Sequence, residues 1–396
     1  MKQLNKLNNF LNFQINELKQ NDLFYSLPVF SSASSDKMLL NGNEVVMLSS
    51  NNYLGFANHP RLKLAGINAL NKFGSGTGAV RQIAGTMDFH IELEKLLSDF
   101  KQSQQSLVFS SGVAANIGVI ASIMQQNDTI ISDELNHGSI IDGIRLSKAE
   151  KKIFSHKDLE KLKQLLKDSQ NSEKIMIATD GVFSMNGDIA PLKEICELAE
   201  EFNAFVFVDD AHGDGVFGKE GKGTIDFCNV HKKVAMEVGT FSKAFGSLGG
   251  FVCGSSELKD FLVNKARSFI FTTSLPPAVT AANIEAIKLI QEEPVHLNNL
   301  WKNTNYFKQE LSDLGFDFGE SISPIIPIIV GESRKAQELS RQLLNQGVFV
   351  KPIVFPLVAK DKARIRCMIN AHHSKNDLDL ALDALKKAGK NMKLFS

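Results

Sequence analysis

Cysteine is scarce in this sequence, and its four copies, Cys196, Cys228, Cys253 and Cys367, form no CxxC pair and no Cys/His ligand spacing. That excludes a disulfide framework or a cysteine-based zinc module and makes the thiols packing residues of a reducing compartment. A surplus of one charge is also missing: Lys plus Arg and Asp plus Glu number 44 each. No global field is therefore available to hold nucleic acid or an anionic membrane. No apolar stretch approaches the roughly 20 residues of a spanning helix. The opening stretch MKQLNKLNNFLNFQINELKQ lacks the apolar run of a secretory signal. The expectation is a cytoplasmic protein without nucleic-acid or membrane partners.

What is present is enough apolar material for a large core. At 396 residues and 43% hydrophobic, the chain is expected to form more than one domain. Leu4, Leu7, Leu11, Ile15 and Leu18 recur at helical spacing, so residues 1–48 read as an N-terminal helix and arm. From about residue 105, short apolar runs alternate with helical patterns. The runs are Leu107–Phe109, Thr129–Ser132, Ile175–Thr179, Phe205–Val208, Val234–Val238 and Phe251–Cys253. This alternation predicts an α/β domain over 49–290, with a mainly parallel sheet buried on both faces. One predicted helix, Pro191–Phe202, carries an apolar stripe of Leu192, Ile195, Leu198, Ala199 and Phe202. Over 291–396 a smaller α+β domain is expected. There Pro324 and Pro327 confine Ile322–Val330 to a strand pair or an edge, and helices are expected at Ser333–Gln346 and Lys375–Lys387.

The polar motifs fall where the predicted strands end. Leu107–Phe109 runs into Ser110-Ser111-Gly112, Thr129–Ser132 into Asp133-Glu134-Leu135-Asn136-His137, and Ile175–Thr179 into Asp180-Gly181-Val182-Phe183-Ser184. Phe205–Val208 runs into Asp209-Asp210-Ala211-His212, and Val234–Val238 into Gly239-Thr240-Phe241-Ser242-Lys243. In a parallel sheet these ends share one edge, and open α/β folds bind ligands at that edge.

Asp209 and Lys243 together meet the needs of a pyridoxal-phosphate site. Such a site requires a lysine for the Schiff base and an acid beside the pyridine nitrogen. Lys243 lies in a turn of small residues, where partial desolvation would lower its pKa. His212 is close enough in sequence to reach the ring's phenolic oxygen. Ser111-Gly112-Val113 opens a helix whose first amides suit a phosphate, although Ser111 alone reads as a simple cap. His137 could lie flat over a cofactor ring; taken alone it reads as structural. Phe73-Gly74-Ser75-Gly76-Thr77-Gly78 resembles a dinucleotide loop. It follows a helical stretch rather than a strand, with no strand-end acid at the required distance, which disfavours a nicotinamide dehydrogenase.

The strings SSNNYLGFANHP, GSGTGAVRQIAGT, HIELEKLL, SDELNHGSIIDGIRLSKA, TDGVFSMNGDIAPL, VDDAHGDGVFGKEGKG, GTFSKAFGSLGG, FTTSLPPA and ARIRCMINAHH resemble, in this order, the α-oxoamine synthase family. The likeness runs from about Ser49 to His373. It implies the type I fold of pyridoxal-phosphate enzymes and condensation of an amino acid with an acyl-CoA. It implies that Lys243 carries the cofactor and removes the substrate's α-proton, with Asp209 at the pyridinium and His212 and Ser184 at the ring. His137 would stack on the ring and orient the substrate. Gly112, Val113 and Thr240 would hold the phosphate, and Thr272 and Thr273 would reach that of a neighbouring subunit in a homodimer. Arg366, with Arg364 a close second, would bind the amino acid's carboxylate beside Asn51. No metal is implied.

Two departures stand out: Val113, where the family often has an aromatic residue, and Asp214, where a small or hydroxyl residue is commoner. Within the family, HGSIIDGIRLSKA, DGVFSMNG and KARIRCMINAHH look most like glycine C-acetyltransferase of threonine catabolism. The next reading is 8-amino-7-oxononanoate synthase of biotin synthesis, which joins alanine to a pimeloyl thioester; serine palmitoyltransferase is third. A reading of another class, a catalytically silent synthase subunit, would be expected to lack Lys243.

Overall fold

In the computed structural model, residues 2–21 and 23–394 are described. Met1, Asp22, Phe395 and Ser396, which fall in the expected arm and C-terminal domain, lie outside the described residues. The predicted N-terminal helix forms over Lys2–Gln20, and its side chains from residue 3 to residue 20 are exposed. Next come β1 (Lys37–Leu40) and β2 (Asn43–Met47), an antiparallel pair.

The central sheet is built from β3 (Gln105–Phe109), β4 (Thr129–Asp133), β5 (Glu150–Phe154), β6 (Ile175–Asp180), β7 (Phe205–Asp209), β8 (Val234–Thr240) and β9 (Gly250–Gly254). Its order is β3-β9-β8-β7-β6-β4-β5. The pairs among β4 to β8 are parallel, and β9 runs antiparallel to both its neighbours. The sheet is therefore mixed rather than wholly parallel. The five strands whose ends carry polar motifs still share one direction. Burial on both faces explains their unbroken apolar runs. In β7, Val206 and Val208 join one apolar cluster and Phe207 another, each fully buried. Strand β5 was not predicted because Glu150, Lys151 and Lys152 break its pattern. It lies at the sheet edge, where charge discourages further pairing.

The C-terminal part supplies β10 (Ile325–Gly331), β11 (Val348–Phe349), β12 (Pro352–Ile353) and β13 (Ala363–Met368). Strand β10 is an edge, as its prolines require, in a sheet ordered β10-β13-β12. Strand β11 pairs with β2, so the arm over 37–47 is knitted to the C-terminal part rather than hanging free. The predicted helices form with trimmed or extended ends. Leu192–Glu201 takes Pro191 as its N-cap and Phe202 as its C-cap, Ser333–Leu344 stops before Gly347, and the last helix extends over Lys375–Met392. All four cysteines are buried and unpaired. Among the described residues, no helix is long and apolar enough to cross a membrane.

Candidate active site

The C-terminal ends of β4, β6, β7 and β8, the start of helix Gly112–Ile123 and the loop at Asn51 enclose a cavity of about 240 Å³. Its lining includes Asn51, Gly112, Val113, His137, Ser184, Asp209, His212, Thr240 and Lys243. Nine of the residues singled out from the sequence thus meet in one place.

Strand β7 ends in two adjacent acids, and the pleat sends them to opposite sides. Asp209 faces the cavity. Its Oδ2 accepts from Asn116 Nδ2 at 2.6 Å and its Oδ1 from the backbone N–H of Ala211 at 3.1 Å. Asp210 turns away and accepts from the N–H and hydroxyl of Thr224 at 2.7 and 2.6 Å. In the next strand, Asp180 pairs in register with Asp209. Burial first, and then the charge of Asp209, push the Asp180 carboxyl well above the carboxylate range.

Lys243 follows β8, half-buried in the cavity wall, with no hydrogen-bond or ion-pair partner for Nζ among the described residues. Burial pulls its ammonium down to about 8, although Asp209 and Asp180 act against the shift. The amine is therefore partly neutral near physiological pH.

His212 is buried, and its Nδ1 lies 2.7 Å from the Tyr53 hydroxyl. Burial raises the Tyr53 pKa, so the phenol keeps its proton. The imidazole stays neutral because burial, followed by Lys243 and Arg366, depresses it. His137 is both a cavity residue and the N-cap of helix Gly138–Leu146, its Nδ1 lying 2.6 Å from Ser139 Oγ. Burial, then Lys243, lower its pKa.

At the other end of the cavity Ser111 caps its helix by accepting from Ala114 N–H at 3.1 Å, so the simple-cap reading holds as well. A Cβ on Gly112 would stand 3.5 Å from Thr240, which brings the helix start against the end of β8. The first amides of a helix have no partner within it, and those of Gly112 and Val113 open on the cavity. Val113 offers no aromatic face.

Arg366 borders the cavity from β13. It donates to the Ser184 carbonyl at 2.7 Å and to Asn51 Oδ1 at 3.2 Å. Arg364, two residues earlier, is occupied elsewhere: it donates to Met185 O at 3.1 Å and Asn186 Oδ1 at 2.7 Å. Thr272 and Thr273 do not reach this cavity; they line a separate recess with Arg81 and His90. Asp214 does not line the cavity: it is buried, 2.7 Å from Lys101 Nζ, and its charge still acts on Lys243.

Sequence reading gave no role to Tyr53, Asn116, Asp180 or Ser139. Asn116 had a signal, since it stands one helical turn after Gly112 and so on the same face. Tyr53 had none, because the contact to His212 spans 159 positions.

The family model for class I and II aminotransferases matches residues 43–385. The 8-amino-7-oxononanoate synthase of Alkaliphilus metalliredigens is 49% identical over 387 residues, 98% of each chain. That of Bacillus subtilis, synthase 1, is 50% identical over 386 residues, again 98% of each. The serine palmitoyltransferase of Sphingomonas wittichii superposes with a TM-score of 0.93 at 32% identity, covering 99% of both chains. That of S. paucimobilis, solved with a bound PLP–myriocin aldimine, gives 0.92 at 30%, covering 97% and 98%.

The chain belongs to the α-oxoamine synthase family. This α-oxoamine synthase is a pyridoxal-phosphate-dependent, acyl-transferring enzyme of the class I and II aminotransferase fold. Its cavity fits that cofactor: an unpaired amine, a carboxylate at the end of β7, open helix amides and a buried amide oxygen, Asn116 Oδ1, without a partner. The preference for glycine C-acetyltransferase and threonine catabolism gains no support, since these curated relatives carry the second name.

Proposed function

We propose that this α-oxoamine synthase joins alanine to a pimeloyl thioester, releasing carbon dioxide and the thiol carrier and forming 8-amino-7-oxononanoate for biotin synthesis. The meeting of the free Lys243 amine with Asp209 in one cavity carries the chemistry. The choice of substrate rests on relatives about half identical over nearly the whole chain. The solved serine palmitoyltransferases are about 30% identical, which favours the synthase name over theirs.

When bound, pyridoxal phosphate supplies an electron sink for charge at the amino acid's α-carbon. Lys243 Nζ holds its aldehyde and moves the proton at that carbon. Asp209, fixed by Asn116, keeps the ring nitrogen protonated. His212, held by Tyr53, would bond the phenolic oxygen, and Ser184 would also contact the ring. His137, a cavity residue, would cover the ring face and orient the substrate. The amides of Gly112 and Val113 and the hydroxyl of Thr240 hold the phosphate. Arg366 and Asn51 take the amino acid's carboxylate.

A homodimer completes this reading, with Thr272 and Thr273 reaching the neighbouring subunit's phosphate. The bare apolar residues Leu4, Leu7, Phe10, Leu11 and Phe13 on the N-terminal helix support a covering partner. A reducing, cytoplasmic setting accords with four unpaired thiols. The test is CoA release by the purified enzyme, with glycine, alanine or serine against acetyl-, pimeloyl- and palmitoyl-CoA. Alanine with pimeloyl-CoA should give the highest kcat/KM; a higher value for glycine with acetyl-CoA would overturn the choice.

A further inference from the structure

Outside the cavity, three imidazoles and a carboxylate from separate parts of the chain come together. His59 caps helix Pro60–Phe73, Glu293 caps the end of helix Pro277–Glu292, His296 lies in helix Val295–Asp313, and His372 follows β13. One ring nitrogen each of His59 and His296 and one oxygen of Glu293 lie within 4.8 Å of one another. The His372 ring centre is 5.5 Å from that of His296. We propose that this cluster binds a divalent transition-metal ion, Zn²⁺ being the representative case, through His59, Glu293 and His296, with His372 beside them.

Four observations carry the proposal beyond proximity. First, the rings are weakly engaged. Glu293 meets His296 at 3.3 Å, His372 meets His296 at 3.4 Å, and His59 accepts from Arg61 N–H at 3.3 Å. All are long beside the roughly 2.9 Å of an ordinary hydrogen bond, so a metal displaces little. Second, the local charge favours a cation. Arg61 is bonded to Glu285, Glu292 and Glu293; one guanidinium against three carboxylates leaves two negative charges, the complement of a divalent ion. Third, His59 is half-buried and His372 exposed, so an ion can reach both from solvent.

Fourth, the backbone makes room for a ring. Gly55 has φ 75°, and a Cβ there would stand 2.6 Å from His372 Nδ1. The loop thus admits the imidazole where any side chain would exclude it. Nitrogen and carboxylate ligands suit Zn²⁺, Ni²⁺ or Co²⁺ better than Mg²⁺ or Ca²⁺. Tetrahedral binding at about 2.0–2.1 Å needs the ligand atoms to close by about 1.5 Å. The long cap bond of His59 is the one to be traded for it. Bound metal would pin the start of helix Pro60–Phe73 to the junction of helices Pro277–Glu292 and Val295–Asp313. Cysteine spacing gave no hint of this, because the ligands are dispersed along the chain.

The experiment is a Zn²⁺ titration of the chelator-stripped holoenzyme in competition with a chromophoric chelator, alongside thermal melts with and without Zn²⁺. One equivalent per chain should bind, and Zn²⁺ should raise Tm by a few degrees through mass action. His59→Asn, which keeps a capping residue, and Glu293→Gln should each weaken binding at least tenfold and abolish the Tm rise. Both variants should keep the metal-free Tm of the parent within about 2 °C. A holoenzyme that binds no saturable equivalent, or one whose binding survives both substitutions, overturns the assignment.

Discussion

Two lysines of this protein sit among acids, one buried and one in the cavity wall, and they have opposite fates. Lys101 is wrapped at close range. Asp214 is 2.7 Å from its Nζ, Asp210 is at 4.0 Å, Glu237 is in contact, and the Lys222 carbonyl accepts from it. Burial alone would strip its charge, but the three carboxylates outweigh burial and raise its pKa well above the ordinary value. Lys243 also feels three carboxylates, Asp209, Asp180 and Asp214, yet none bonds it, and burial wins. The same strand end serves both, since Asp209 faces one lysine and Asp210 the other. A buried amine is fixed as a cation where acids touch it and becomes a nucleophile where they stand back.

The contrast can be broken at either lysine. Lys243→Ala should cut turnover by about a thousandfold or more with little change in the thermal midpoint; surviving condensation would remove its role. Lys101→Met should do the reverse. It strands buried carboxylates, at a cost of about 3–5 kcal/mol, read by denaturant unfolding, while turnover per folded molecule stays within a few-fold. A loss of turnover at unchanged stability would make Lys101 part of the chemistry.

Two smaller effects sharpen the picture. Arg366→Ala removes charge-assisted bonds worth about 1.5–3 kcal/mol, so KM for the amino acid should rise by about 10- to 100-fold and that for the thioester far less. Equal rises would argue against carboxylate binding. Cofactor uptake by the cofactor-free enzyme needs the neutral amine of Lys243. Because its pKa is lowered to about 8, the uptake rate should climb with pH up to about 8 and level off above it. A climb continuing toward 10 would mean that the amine is not desolvated.

Much of the site was legible because it hangs on apolar strands. β3, β4, β6, β7 and β8 announce themselves as continuous hydrophobic runs, and their ends name Asp209, His212 and Lys243. What escaped were elements whose logic is not local. Strands β1 and β2 are short, and β2 takes its second partner, β11, from about 300 residues away. The charged strand β5 hides at an edge. Asp214 read only as an added charge near the cleft, and its partner Lys101, 113 positions earlier, was out of reach of local pattern. Arg364 and Arg366 stand two apart on one strand, and only the turn at Met185–Asn186 separates a structural arginine from one bordering the cavity.

The most direct test of the central claim is borohydride reduction of the holoenzyme followed by peptide mapping by mass spectrometry. The pyridoxyl mass should be found on the peptide containing Lys243, with Lys101 unmodified. A stable adduct at Lys101 or a surface lysine, with Lys243 bare, would contradict the account.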